Sequence, residues 1–423
     1  MKGVDVAAEA LRRAADRFYT VPGYPVSDLA ARLEAATVIN EKVALEYALG
    51  DSLAGRRAAV IIKNVGLNCC ADPLVNATTQ GVKAGVILVV GDDIEVRASQ
   101  NAQDSRYYGP AAQVPVIEPG GGTMGAAMEL AFQASEMHSR AALVRVTPPA
   151  LDGPAREQYL HRGNHTGSIA GRELTMKGRT QAADQRTHAL FAWSRASSLN
   201  RFRGGVVGVG AAEGDSRVVT AYPPPADPDM LSRTRELGRP FVWEHRFSAP
   251  PECTGTPETM EMRGYHRTFC RDCPFIPLLE AMQRRGLEVV CDIGCSLLAL
   301  NPPYSVGVAA YGLGSSIGVA AKSGHAALTG DYALLHSGIN ALIDVYENCI
   351  PLLCIVLKNE RMGMVGDQRT PDVLRYLGFA SPIVIDAADI EHNQDILTAP
   401  GAPTTVVVTG TCPPGGIHET VEC

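Results

Sequence analysis

Six short runs rich in apolar and β-branched residues punctuate the chain: Ala58–Lys63, Gly85–Val90, Ala142–Val146, Val289–Ile293, Leu352–Leu357 and Thr404–Val408. Each is apolar at nearly every position, so a strand built from it needs cover on both faces. Helical spacing of apolar residues occupies the stretches between, at Glu41–Leu53, Leu74–Lys83, Met124–His138, Phe275–Arg285 and Ile339–Tyr346. Doubly covered strands alternating with helices predict an α/β chain with parallel sheets. The pattern occurs twice, at about 1–150 and 260–423. Between them, residues 151–260 are rich in Arg, His, Pro and Ser, as in GPAREQYLHRGNHTGS and TAYPPPADPDM. That composition reads as a linker with a small insert at Gly204–Glu244, where GGVVGVGA and RPFVWE would be strands. GVGAAE at 208–213 lacks the glycine a dinucleotide fingerprint needs and reads as a turn.

A length of 423 residues suits two or three domains. Lys and Arg number 38 against 45 Asp and Glu, and the net charge of −7 offers no footprint for a nucleic-acid backbone. No run approaches the ~20 apolar residues of a membrane span. The opening MKGVDVAAEALRRAADRF has helical alternation and no signal-peptide core, so a cytoplasmic location is expected. Eight of the eleven cysteines follow residue 260. In a reducing compartment they stay thiols, and a clustered set reads as a metal site.

Three patterns carry chemistry. Gly330-Asp331 ends the strand-like AALTG, and Asn359 ends LLCIVLK 28 positions after Asp331. Strand ends line the ligand crevice of an open parallel sheet, and two oxygen donors there suit Mg²⁺ with diphosphate oxygens completing its shell. An N-capping Asp and a turn Asn explain the same pair. Glu41 stands where ATVIN meets the next helix, a place for a carboxylate in a crevice or simply for an acid favoured by the helix dipole, with Glu46 as the alternative one turn on. Cys270-x2-Cys273 followed by Cys291-x3-Cys295 has zinc-like spacing. Cys270, Cys273, Cys295 and Cys412 instead suit a [4Fe–4S] cluster, leaving Cys291 spare.

Taken in order, these segments resemble the 2-oxoacid:ferredoxin oxidoreductases, a superfamily of thiamine diphosphate enzymes, and within it the alpha subunits of the indolepyruvate branch. NEKVALEYALGDSLAG, KNVGLNCCADPL, GVKAGVILVVGDD and SQNAQDSRYYG carry the match in the first half. FCRDCPF, the run from CDIGCS to GLGSSIGVA, and GDYALLHSGINALI carry it in the second. The resemblance implies a pyrimidine-binding domain at 1–180, a linker at 181–258 and a diphosphate-binding domain at 259–423. It implies Mg²⁺ on Asp331, Asn359 and the backbone at Arg361, with the cofactor against Gly294, Gly312, Gly314, Ser315 and Gly330. Glu41 would face N1′ of the aminopyrimidine, His336 the reacting carbon, and the four thiols a [4Fe–4S] cluster. Ser99, Gln100, Asn101, Asp104 and Arg106 would rim the crevice or orient substrate. The implied activity is oxidative decarboxylation of an arylpyruvate-like 2-oxoacid, with acyl transfer to coenzyme A and electrons passed to ferredoxin. A gamma-type subunit, and a homodimer or heterotetramer, are the implied partners. Two departures stand out: Tyr332 replaces the third residue of a Gly-Asp-Gly motif, and the sequence ends at Cys423 without a ferredoxin-like tail. The tail's absence keeps a non-oxidative decarboxylase open, and a zinc-bearing scaffold is the non-catalytic alternative.

Overall fold

A computed structural model describes residues 1–93, 96–100, 103–196, 217–220, 254–413 and 419–423. Asn101, the GVGAAE turn and both strands expected in the 204–244 insert lie outside these residues. The chain divides into two compact units, one of residues 1–169 and 181–255, the other of 170–180 and 256–423.

In the first unit the described strands are β1 (Arg17–Val21), β2 (Ala36–Thr37), β3 (Ala58–Lys63), β4 (Val86–Gly91), β5 (Pro115–Glu118), β6 (Ala142–Val146) and β7 (Arg217–Thr220). They form one sheet in the order β2-β1-β3-β4-β6-β5-β7, parallel throughout except where β7 pairs antiparallel with β5. Strands β3, β4 and β6 run through its middle and are buried almost completely. Helices Gly3–Ala14 and Met124–His138 pack their alanine-rich faces on one side of this sheet. Helix Glu41–Leu53 begins on Asn40, whose side-chain oxygen accepts from the Val43 N–H at 2.9 Å. That cap satisfies one of the four free N–H groups at the helix start and fixes where Glu41 stands.

The second unit contains β8 (Tyr265–Arg267), β9 (Val289–Cys291), β10 (Gly307–Ala310), β11 (Ala326–Gly330), β12 (Leu353–Lys358), β13 (Ile383–Asp386), β14 (Thr404–Thr409) and β15 (Thr420–Glu422). Six of these make an all-parallel sheet in the order β10-β9-β11-β12-β14-β13, while β8 and β15 form a separate antiparallel ribbon. Parallel neighbours point their carboxyl ends the same way. Every loop leaving β9, β10, β11, β12 and β14 therefore departs from one edge of the sheet. The helical segment Met176–Ala196, unforeseen in the sequence, starts in the second unit and continues in the first. Among the described residues no helix is long and apolar enough to cross a membrane.

Candidate functional site

That carboxyl edge gathers the expected residues of the second unit. Gly312–Ser315 follows β10, Gly294 and Cys295 follow β9, Asp331 follows β11, Asn359 follows β12, and Cys412 follows β14. A cavity of about 350 Å³ opens there, lined by Asp331, Asn359, Cys270, Cys273, Cys295 and Cys412 together. Only the Cys270–Cys273 turn arrives from outside the sheet, and Gly410 admits it: a side chain at 410 would collide with the Pro274 ring 2.6 Å away.

Asp331 is held rigidly. Its carboxylate accepts from the N–H of Tyr332 at 2.7 Å, the N–H of Glu360 at 2.8 Å and the Thr370 hydroxyl at 3.3 Å. Burial nevertheless pushes this carboxyl above its ordinary range, against the lowering effect of those bonds. A desolvated acid that shares a cavity with an amide is a site that a hard divalent cation relieves, so these two donors fit Mg²⁺. Asn359 accepts from the Arg361 N–H at 3.3 Å and donates through Nδ2 to the Cys412 sulfur at 3.1 Å. Tyr332 is substantially exposed and lines the same cavity, so the bulkier third residue leaves the Asp331 position open.

The Gly312–Ser315 loop is shaped by close approach. Gly314 has a φ of +78°, and a Cβ on it would meet the Gly338 nitrogen at 2.5 Å. Only glycine tolerates both conditions. Asp292, fully buried, anchors this loop from below: it accepts from the Ser316 N–H at 2.8 Å, from the Ser316 hydroxyl at 3.0 Å and from the Thr329 hydroxyl. Sequence reasoning missed Asp292, although it stands between the two cysteines of CDIGC and was passed over for their spacing. The helix Ser316–Ser323 starts at the same edge, so the positive end of its dipole lies there.

The four thiols form no disulfide and are partly buried, whereas Cys291 is wholly buried within β9 and does not line the cavity. Burial pushes the Cys273 and Cys295 thiols up to about 12, and the neighbouring Cys412 adds to this. Cys270 is raised as well, by burial and then by Cys412. Such thiols stay protonated until a metal takes the sulfur, which fits a thiolate-bound group. Among the described residues no three His, Cys, Asp or Glu side chains are near enough to share one ion. A single zinc draws its sulfurs to about 2.3 Å from one point. A cluster gives each thiolate its own iron instead.

His336 lies in a π-helical turn, Leu334–Gly338, exposed beside Tyr332 at 6.0 Å between ring centres. It does not line the cavity. In the first unit, Glu41 is half-buried at its helix start, and the turn after β3 cradles it. The Cys70 thiol donates to the Glu41 carbonyl at 3.2 Å, and a Cβ on Gly66 would sit 2.4 Å from the Glu41 carboxylate. Glu46 is fully buried, 3.8 Å from Lys42. Asp104 and Arg106 pair with each other inside a buried ion network that joins Arg145 to Asp92 and Glu118. Gln100 accepts from Lys63 at 2.8 Å. Asp104 and Arg106 thereby brace the loop after β4.

The thiamine pyrophosphate enzyme, C-terminal TPP binding domain family matches residues 292–391, which contain the loops of Gly312–Ser315, Asp331 and Asn359. The indolepyruvate oxidoreductase subunit IorA of Archaeoglobus fulgidus is 42% identical over 127 residues, covering 27% of this chain and 20% of that protein. The IorA subunit of Methanothermobacter thermautotrophicus is 26% identical over 465 aligned residues, covering 83% of this chain and 73% of that protein. Among solved structures, a putative thiamin diphosphate-dependent enzyme from Mycobacterium smegmatis matches with a TM-score of 0.59 and 16% identity, over 97% of this chain and 100% of that one. Benzoylformate decarboxylase from Polynucleobacter necessarius matches with a TM-score of 0.59 and 14% identity, over 97% and 98%. At such identities the two structures speak for the fold alone. The fold, the kinship to IorA subunits and an enzyme of the thiamine diphosphate-dependent kind, read from the ordered motifs, are all borne out.

Proposed function

We propose that this chain is the thiamine diphosphate-binding subunit of a 2-oxoacid oxidoreductase that decarboxylates an arylpyruvate-like substrate oxidatively. One observation carries the reading: four thiols and the Asp331–Asn359 pair open into a single cavity at one sheet edge. A non-oxidative decarboxylase has no need of thiols there. Bound at this edge, the coenzyme supplies an electron sink for the bond to the departing carboxylate. Asp331, Asn359 and the backbone at Arg361 hold Mg²⁺, and Gly294, Gly312, Gly314, Ser315 and Gly330 give the diphosphate close backbone approach beside a helix N-terminus. Glu41 carries the proton at N1′ of the pyrimidine through its carboxylate, and Asn40 and Gly66 fix that carboxylate's position. His336, on an exposed turn outside the cavity, is the group we assign to proton exchange with the substrate on the resemblance alone. Cys270, Cys273, Cys295 and Cys412 would hold a [4Fe–4S] cluster, which would supply one-electron chemistry toward a separate ferredoxin, with a gamma-type subunit and coenzyme A as the remaining partners. The assembly is a homodimer or a heterotetramer in the cytoplasm.

Anaerobic purification with iron, sulfide, zinc and thiamine analysis tests this. Four irons and four sulfides per chain, with thiamine retained, is the expected result. One zinc per chain with no thiamine binding would make the protein a scaffold. Thiamine-dependent aldehyde release without iron would make it a decarboxylase.

A further inference from the structure

We infer that the Asn359 carboxamide is a positioning link between the two cofactor positions, its oxygen serving the magnesium side and its nitrogen bonded to the Cys412 sulfur, so that filling one position changes the other. This rests on the function proposed above. The nitrogen donates to Cys412 Sγ at 3.1 Å. The oxygen accepts one 3.3 Å bond from the Arg361 N–H, and an amide oxygen has a second lone pair to give. A Cβ on Gly363 would lie 3.9 Å both from the Asn359 nitrogen and from the Cys295 sulfur, so the amide and that thiol border the same small space. The charge of Asp331 also reaches Cys295.

Both ends of a carboxamide belong to one conjugated plane. A cation on the oxygen withdraws electron density and makes the N–H a better donor. Hydrogen bonds to cluster sulfurs tune the reduction potential, and a better donor favours the electron-richer, reduced form. The amide has one productive orientation, since turning it over sets an oxygen lone pair against a thiolate. Linkage makes the effect reciprocal: if Mg²⁺ and the coenzyme favour reduced cluster, reduced cluster holds them more tightly by the same factor.

The experiment titrates thiamine diphosphate with Mg²⁺ into anaerobic holoprotein, oxidised and dithionite-reduced, by calorimetry, and measures the cluster midpoint potential with and without the coenzyme. The expected result is three- to tenfold tighter binding to the reduced form. Tenfold corresponds to about 59 mV upward for a one-electron couple. Asn359→Asp keeps an oxygen for the metal and removes the donor, so the difference between redox forms should vanish while iron content stays normal. Equal affinities in the two forms of the wild-type protein, with four irons present, overturn the link and leave the proposed function intact. A shift that persists undiminished in Asn359→Asp also overturns it. Absence of iron overturns both, and the metal analysis shows which has happened.

Discussion

Glu41 and Gly66 show how much of a site one position decides. The sequence exposes Glu41 because an acid at the join of an extended run and a helix is visible by pattern alone. Gly66 is invisible to the same reading, since its importance comes from the turn after β3 folding back onto a helix start 25 positions earlier. Gly66→Ala should push the carboxylate aside. Displacement on the order of 1 Å costs about a hundredfold in rate, so turnover should fall by roughly that much while thiamine diphosphate affinity, measured by calorimetry, changes little. Glu41→Gln should lower turnover by about 10²–10⁴-fold with the coenzyme still bound; unchanged turnover would hand the role to another acid, Glu46 first. At the thiol set, Cys412→Ser should lose iron by direct assay, and full iron content would remove Cys412 from the ligands.

Elements place these residues, and the central strands of both sheets were legible. Helices 41–53 and 124–138 and strands 58–63 and 142–146 form with the ends their hydrophobic patterns suggest, because a doubly covered sheet leaves apolar runs little freedom. The helix Met176–Ala196 was not legible, since its polar residues are spread around its surface with no single apolar stripe. Asp292 is the other case. A short loop acid looks ordinary in sequence, yet here it holds the start of helix Ser316–Ser323 against β11. Asp292→Ala strips charged acceptors from buried donors, which should cost on the order of 3 kcal/mol in urea unfolding. It should also weaken thiamine diphosphate binding by loosening the Gly312–Ser315 loop. Unaltered coenzyme affinity in a folded Asp292→Ala protein would show that the loop holds its shape without the anchor.

At the largest scale each unit hides charge that its apolar composition does not advertise. Arg57 is fully buried, bonded to Glu136 and Glu129, and the Arg145 network repeats the device on the other side of β4. His138 has a different consequence. Burial, helped by nearby Arg140, pushes its imidazole down to about 4, with its ring set edge-on to Trp193. An unfolded imidazole titrates near pH 6.5, so below that value the unfolded chain binds a proton that the folded one refuses. Stability is therefore complete above about pH 6.5 and declines as the pH falls toward 4, by on the order of 2–3 kcal/mol. His138→Phe should flatten that part of the profile in urea melts, and an unchanged slope would assign it to other groups. The β8–β15 ribbon joins the segment just before Cys270 to the segment just after Cys412, so the first and last of the four thiols are drawn together by late backbone pairing. If these thiols hold the proposed cluster, its cage would close only after the whole second sheet has left the ribosome, and stalled fragments should emerge colourless however much iron the cell provides.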